Sequence, residues 1–254
     1  MKVTFLGTGT SQGVPVIGCS CEVCSSVDYH DKRLRSSILI EYGELSLIVD
    51  TGPDFRQQML RERVKKLDGV LFTHAHKDHT AGLDDIRSFN FLQKKDMPIY
   101  AEPDVIDQLK REFSYIFSEH KYPGIPQLDL YEITTDQFTI GKTSIIPIRV
   151  MHYKLPVLGF RLGDFTYITD ANNIPDESKA KIKGSKVIVL NALQKSEHIS
   201  HFTLDEALEM MEELNPEKGY LTHISHKLGS HADVSKELPA NVDLAWDGLK
   251  IEIK

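Results

Sequence analysis

The chain has 254 residues, of which 41% are hydrophobic and 26% charged, and it carries a formal charge of −7 at pH 7. These proportions are typical of a globular protein and exclude a disordered or fibrous chain. The net negative charge does not favour binding to the phosphate backbone, so we do not expect a nucleic-acid partner. No apolar run approaches the roughly 20 residues that cross a bilayer, so we expect no membrane partner either.

The N-terminal residues predict a strand from Val3 to Leu6 with no signal-peptide pattern before it, which leads us to expect a cytoplasmic protein. We find no repeat or linker-like change in composition, so we predict a single domain over residues 1–254. The segment Gly7 to Gly13 follows as a glycine-rich loop. Its glycines either bring backbone N–H groups to a phosphate or only relieve crowding.

All three cysteines lie within six residues, as Cys19, Cys21 and Cys24. An odd number of cysteines so close together makes a poor disulfide framework. Thiolates packed in this way suit zinc, and the alternative is a redox-regulated trio.

Hydrophobic periodicity predicts the remaining elements. A hairpin turns at Gly43-Glu44, and Asp54 is the expected N-cap of the first helix. The predicted strands are 37–42, 45–49, 69–73, 128–133, 138–140, 143–150, 157–162, 165–169, 187–190, 218–221 and 248–253. The predicted helices are 55–66, 84–93, 104–117 and 203–214, with a weak helix after residue 230. This order favours an α/β protein with two sheets covered by helices.

The densest chemical signal follows the strand at 69–73. His74, His76, Asp78 and His79 place four metal-competent side chains within six residues. On a tight loop, the first two can face one ion and the last two another. The alternative, a polar helix start with incidental histidines, does not explain three histidines in so short a segment.

This HxHxDH pattern resembles the metallo-β-lactamase superfamily. The resemblance implies a sandwich of two mixed sheets packed together, with helices outside in an αββα arrangement. It also matches three later residues that end predicted strands, namely His152, Asp170 and His223.

The resemblance implies a dinuclear site of two divalent ions, Zn or Mn. One ion would be held by His74, His76 and His152, and the other by Asp78, His79 and His223. Asp170 and a hydroxide would bridge them, so that Asp78 and Asp170 take part in catalysis. A second ion helps because it shares the attacking hydroxide and polarises the substrate oxygen.

Asp50, at the end of the strand 45–49, resembles the aspartate–glycine turn of the superfamily, whose carboxylate orients metal-binding histidines. The alternative is that Asp50 only caps the turn before Pro53.

The glycine-rich loop and the cysteine cluster resemble the PhnP subgroup of phosphoribosyl cyclic phosphodiesterases, and the match extends to Trp246-Asp247-Gly248. Three thiolates need a fourth ligand to complete a structural zinc site. His226 is the best candidate, three residues after His223, and His231 is the alternative.

His201 lies in a segment resembling one found in both the PhnP group and RNase Z. An alkoxide leaving phosphorus needs a proton, and a histidine is a suitable general acid. We therefore assign this role to His201, with His198 as its competitor. Thr203 and Glu206 are expected to form a capping box at the start of the next helix.

The sequence therefore predicts a metal-dependent phosphodiesterase that hydrolyses a small cyclic phosphodiester, such as a phosphoribosyl cyclic phosphate, with a metal-bridged hydroxide as nucleophile. The first alternative is a tRNA 3′-end endonuclease of the RNase Z type, which the acidic balance and the lack of a long basic insertion disfavour. The second is a thioester or lactone hydrolase. The resemblance also implies a homodimer.

Overall fold

The computed structural model describes residues 1–119 and 122–254, which form two seven-stranded mixed sheets. The first sheet has the order β14-β1-β2-β3-β4-β5-β6 and the second the order β13-β12-β11-β10-β9-β8-β7. The strands of the first sheet are β1 Lys2–Gly7, β2 Ser37–Tyr42, β3 Leu45–Val49, β4 Gly69–Leu71, β5 Met97–Ala101, β6 Leu128–Glu132 and β14 Lys250–Glu252. Those of the second are β7 Phe138–Ile140, β8 Thr143–His152, β9 Leu155–Leu162, β10 Phe165–Tyr167, β11 Val187–Asn191, β12 Lys218–Thr222 and β13 Val242–Leu244.

Each sheet combines an antiparallel half with a parallel half. Strands β3 to β6 run parallel in the first sheet, and β10 to β13 run parallel in the second. Because alternate side chains of a strand point to opposite faces, each strand contributes to two cores. In β2, for example, Ile38 and Ile40 pack between the sheets, whereas Leu39 packs on the outer face.

Helices cover both outer faces. The helices of the described ranges are α1 Glu22–Ser25, α2 Phe55–Glu62, α3 Lys77–Thr80, α4 Arg87–Gln93, α5 Pro103–Glu112, α6 Asp176–Ile182, α7 Leu204–Leu214 and α8 His231–Val234. Residues of α2, α4 and α5 bury their apolar sides against the first sheet, and residues of α6, α7 and α8 against the second. The predicted αββα sandwich is therefore confirmed. No helix in the described ranges is long and apolar enough to cross a membrane.

Several predicted boundaries were wrong. The helix predicted over 55–66 ends at Glu62, because Arg63 adopts a left-handed conformation with φ 54°. Asp54 occupies the N-cap position as predicted, but its side chain makes no capping bond, since its Oδ2 accepts the backbone N–H of Arg35 at 2.8 Å. The helix predicted over 84–93 begins with a 3₁₀ turn at Leu83–Ile86, and the one predicted over 104–117 ends at Glu112.

Other local predictions are confirmed. The hairpin turns at Gly43, which has φ 61°. Thr203 and Glu206 form both hydrogen bonds of the capping box. The sequence did not predict strands β5 and β13 or helices α1, α3 and α6, all of which are short.

The topology brings several strand ends to one edge of the sandwich. Strands β3 and β4 run parallel, as do β10, β11 and β12, so their carboxyl ends lie side by side. A backbone hydrogen bond of 3.0 Å from Leu158 to Thr73 joins the two sheets at this edge. The chain after β1 also crosses it, since Gly9 bridges both Arg35 and Ile224. This edge carries the candidate site.

Candidate metal centres

Two groups of potential ligands meet at the edge of the sandwich. His74, His76 and His152 form one group, and Asp78, His79, Asp170 and His223 form the other, each with one ligand atom per residue within 4.8 Å of the others. These are the two sets that the sequence predicts. They come from both sheets, since the motif follows β4 whereas the later residues end β8, β10 and β12 or follow them.

The first group has histidine nitrogens at ligand spacing. Nε2 of His74 lies 3.0 Å from Nδ1 of His76. The hydroxyl of Thr73 donates to Oδ2 of Asp50 and accepts from Nδ1 of His74 at 2.9 Å, which leaves Nε2 of His74 for an ion. His152 donates from Nδ1 to the carbonyl of Ser200 at 2.9 Å, so its Nε2 is also available.

The second group surrounds a buried nitrogen. Nε2 of His79 lies 3.2 Å from a carboxylate oxygen of Asp78 and 3.2 Å from one of Asp170. It has no hydrogen-bond partner among the described residues, although the atom is fully buried. Nδ1 of His223 lies 3.2 Å from the same oxygen of Asp170. An orphaned buried nitrogen facing two carboxylates fits a divalent ion.

The charges around this group favour a cation. Burial opposes a charge on His79, but Asp170, Asp50 and Asp78 outweigh it and raise the pKa of His79 well above its usual value. Burial likewise disfavours ionisation of Asp170, yet His223 and His79 hold its pKa well below the usual range. The site thus holds ionised carboxylates in a buried place, which a bound metal ion would neutralise.

Three ligand-bearing or supporting residues have strained backbones. Asp50, Asp170 and His223 have φ of 64°, 54° and 55°, although none is glycine. Each follows a strand closely, and the left-handed turn directs its side chain into the edge of the sandwich. Left-handed backbone at residues other than glycine is uncommon and gathers at functional sites.

Asp50 supports the ligands. Its Oδ2 accepts from Nδ1 of His79 at 2.7 Å, and its Oδ1 accepts the backbone N–H of Thr73 at 2.9 Å. The structure therefore favours the orienting role over simple turn capping, because both bonds fix neighbours of the ligand cluster.

His201 lies beside the pair of groups. It comes within ligand distance of His152 and Asp170, with its Nδ1 at 3.9 Å from a carboxylate oxygen of Asp170. That Nδ1 is buried and has no hydrogen-bond partner in the described residues. Burial and the neighbouring His223 lower the pKa of His201 to about 3. The competing His198 lies farther out, with its ring 5.2 Å from that of His201.

The cysteines meet His226 in a separate cluster. Nδ1 of His226 lies 3.3 Å from the sulfurs of Cys19 and Cys21 and 3.4 Å from that of Cys24. A single N–H cannot satisfy three sulfurs, whereas one tetrahedral ion with bonds of about 2.3 Å to sulfur and about 2.0 Å to nitrogen can. A backbone N–H from Cys24 and the ring of His226 lower the pKa of Cys21 to about 6. This cluster fits a closed zinc site.

His231, the alternative fourth ligand, lies elsewhere. Its Nδ1 faces the guanidinium of Arg33 at 3.2 Å, and its ring stacks on that of His30 with centroids 4.6 Å apart. It therefore does not join the cysteines.

The glycine-rich loop has a packing role. A Cβ at Gly9 would lie 2.9 Å from both the Cβ and the carbonyl oxygen of Arg33. Asp247 anchors the same loop by accepting from the backbone N–H of Thr8 at 3.0 Å and from that of Leu34 at 2.8 Å. Close approach of neighbouring chain explains the glycine here.

Sequence reasoning missed several supporting residues, Ser36 and Asn172 among them. The hydroxyl of Ser36 donates to the carbonyl of Gly9 at 3.0 Å and lies 3.2 Å from Nδ1 of His223. The side-chain amide of Asn172 accepts from the backbone N–H of Tyr153 and donates to the carbonyl of Ile199, and so joins two loops beside the site. No sequence signal identifies either, because both act through contacts far apart in the chain.

The fold and this ligand set define a metal-dependent hydrolase of the metallo-β-lactamase type. The model of the beta-lactamase superfamily domain matches residues 46–224, and the chain belongs to that superfamily. Within it, the protein is PhnP-like. A crystal structure of a diphosphatase from the PhnP family superposes with a TM-score of 0.93 and 40% identity, covering 100% of this chain and 98% of that one.

Two curated relatives are longer. The chain is 37% identical over 98% of its length to a Porphyromonas gingivalis protein named octanoyltransferase, and covers 51% of it. It is 30% identical over 65% of its length to the ribonuclease Z of Rippkaea orientalis, and the match covers 48% of that protein. The chain thus matches about half the length of each.

Proposed function

We propose that the protein hydrolyses a small phosphodiester, such as a cyclic phosphate of a phosphorylated ribose. The observation that carries this proposal is the place of His201, a buried histidine beside both ligand groups that is not needed to complete either. Hydrolysis of a thioester or lactone with a good leaving group needs no such proton donor. An alkoxide leaving phosphorus does need one.

His74, His76 and His152 would hold one divalent ion, with Zn or Mn as candidates, and Asp78, His79 and His223 a second, with Asp170 shared between them. Such ions lower the pKa of a bound water towards about 7 and polarise phosphoryl oxygens. The chain itself would keep these ligands oriented through the hydrogen bonds of Asp50, Thr73 and Ser200.

His201 delivers the proton. Its burial keeps the ring neutral in the free protein, with a pKa of about 3. An anionic phosphodiester bound beside it adds negative charge, which favours the imidazolium form. The imidazolium, formed by uptake of a proton from solvent, would then give that proton to the departing oxygen. The 40%-identical relative is a diphosphatase, which supports hydrolysis at phosphorus at this site.

Octanoyl ester or thioester hydrolysis is a second candidate. It is favoured by the 37% identity to a protein whose name denotes octanoyl transfer. The same metal-bound water would attack the acyl carbonyl. A thiolate leaves without a proton, so His201 would have no proton to deliver in thioester hydrolysis, whereas the alkoxide of an ester would still need one. Cleavage of tRNA is less favoured, since the chain carries a charge of −7.

Turnover of two substrates tests the proposal. The purified protein, loaded with Mn²⁺ or Zn²⁺, is assayed with bis(p-nitrophenyl) phosphate and with an octanoyl thioester, each with and without chelator. We expect chelator-sensitive hydrolysis of the phosphodiester. Chelator-sensitive hydrolysis of the thioester alone would support the second candidate and contradict the first. A panel of cyclic phosphates then identifies the ester.

A further inference from the structure

One side chain joins the loops that carry His152, Asp170 and His201. Asn172, two residues after Asp170, accepts from the backbone N–H of Tyr153 through Oδ1 at 2.7 Å. Its Nδ2 donates to the carbonyl of Ile199 at 3.1 Å. The amide therefore spans the gap between the turn that follows His152 and the segment that leads to His201.

The turn after His152 needs such support. Tyr153 has φ 59°, a left-handed conformation that is rare for an aromatic residue. Its N–H is satisfied by the Asn172 side chain. Loss of this acceptor would free an N–H in a strained turn directly beside a potential ligand.

The segment that leads to His201 is also hydrogen-bonded to His152. Nδ1 of His152 donates to the carbonyl of Ser200, the residue between Ile199 and His201. A shift of this segment therefore moves the rings of His152 and His201 together. These rings lie with centroids 4.5 Å apart.

We propose that Asn172 is a positioning residue that fixes His201 relative to His152 and Asp170. This inference rests on the proposed function, in which His201 transfers the proton. Both halves of the amide are used, the oxygen towards Tyr153 and the nitrogen towards Ile199. An aspartate at this position would keep the acceptor but lose the donor.

The fold does not depend on this side chain. Backbone bonds of 2.9 Å from Asn172 to Met151 and from Met151 to Asn173 already hold the loop against β8. Variants of the Asn172 side chain should therefore fold. Asn173 supplies a matched control, because its exposed side chain makes no hydrogen bond within the described residues.

The test compares Asn172→Ala, Asn172→Asp and Asn173→Ala at saturating Mn²⁺. Substrates are bis(p-nitrophenyl) phosphate and a phosphodiester with an alkyl leaving group. We expect Asn172→Ala to lower kcat by about 10–100-fold, as loss of an outer hydrogen bond or a misplacement near 1 Å does, with KM changed less than kcat. The loss should be larger for the alkyl ester, which depends more on the proton. The kcat of Asn172→Asp should lie between those of the wild type and Asn172→Ala, and the kcat of Asn173→Ala should match that of the wild type.

Two results would overturn the proposal. One is equal kcat for Asn172→Ala and Asn173→Ala. The other is an equal loss for both esters, which would indicate a structural effect without a role in proton transfer.

A measurement without turnover separates this inference from the proposed function. Competition with a chelator gives the affinity for Mn²⁺, which should fall about 10-fold in Asn172→Ala, because the turn of His152 is loosened. If the wild type hydrolyses neither phosphodiester, the proposed function fails, and Mn²⁺ affinity decides the positioning role. If Mn²⁺ binds more weakly to Asn172→Ala but not to Asn173→Ala, the positioning role is supported. If the two variants bind Mn²⁺ equally, the positioning role is overturned.

Discussion

Oδ2 of Asp50 accepts a hydrogen bond of 2.7 Å from Nδ1 of His79, and both side chains are fully buried. This bond fixes the tautomer of His79 and turns its Nε2 towards Asp78 and Asp170. The carboxylate does not belong to either ligand group, yet it determines how one ligand faces the site.

Asp50→Asn should weaken metal binding by about 10–100-fold, the usual effect of losing a carboxylate behind a metal-binding histidine. Chelator competition with Zn²⁺ measures this. Asp164→Asn is the matched control, since the side chain of Asp164 forms an exposed ion pair with Lys186. Equal affinity in both variants would show that Asp50 serves the turn alone.

Asp78→Ala and His152→Ala should each abolish hydrolysis, because each removes a ligand from a different group. Metal analysis should show reduced content in both variants. Wild-type turnover with full metal content in either variant would contradict the dinuclear assignment.

His201→Ala should keep the metal content and lose turnover by about 10²–10⁴-fold on a diester with an alkyl leaving group. The loss of turnover should be smaller for a diester whose leaving group is p-nitrophenolate, because this group leaves without a proton. His198→Ala, its outer neighbour, should have a much smaller effect. A loss that is the same on both esters would assign His201 a role in binding or structure.

Cys21→Ser should lower the zinc content by one equivalent and lower the melting temperature, because a closed thiolate site contributes stability and does no chemistry. Folded enzyme should keep appreciable activity. Some loss is expected, since His223 and His226 share one short loop. The same zinc content per chain in wild type and variant would show that the cysteines are not ligands.

Gly52→Ala should displace Asp78, because a Cβ at Gly52 would lie 2.1 Å from the carbonyl oxygen of Asp78. We expect turnover to fall by about 10²-fold, together with a lower melting temperature. Pro53→Ala, at an exposed neighbouring position, is the control. Unchanged turnover in Gly52→Ala would show that the position of Asp78 can change without loss of activity.

The sequence alone predicted two sheets covered by helices, and its resemblance to the superfamily implied both ligand groups. Strands β2 and β3 are apolar runs on either side of Gly43-Glu44, and the motif from His74 to His79 is local enough to be recognised directly. His152, Asp170 and His223 were assigned because they match the later ligands of the superfamily near the ends of predicted strands. His226 was proposed because three thiolates need a fourth ligand.

Only the tertiary structure decided the residues that orient these ligands. Ser36, Ser200 and Asn172 reach the site through hydrogen bonds between segments far apart in the chain. Both ends of helix α2 were also decided beyond the local pattern. At its start the carboxylate of Asp54 bonds Arg35, and at its end Arg63 turns left-handed. Periodicity reports which face of an element is buried. It carries no information on which polar group meets another once the two sheets pack, because that contact depends on the relative placement of strands that the sequence does not specify locally.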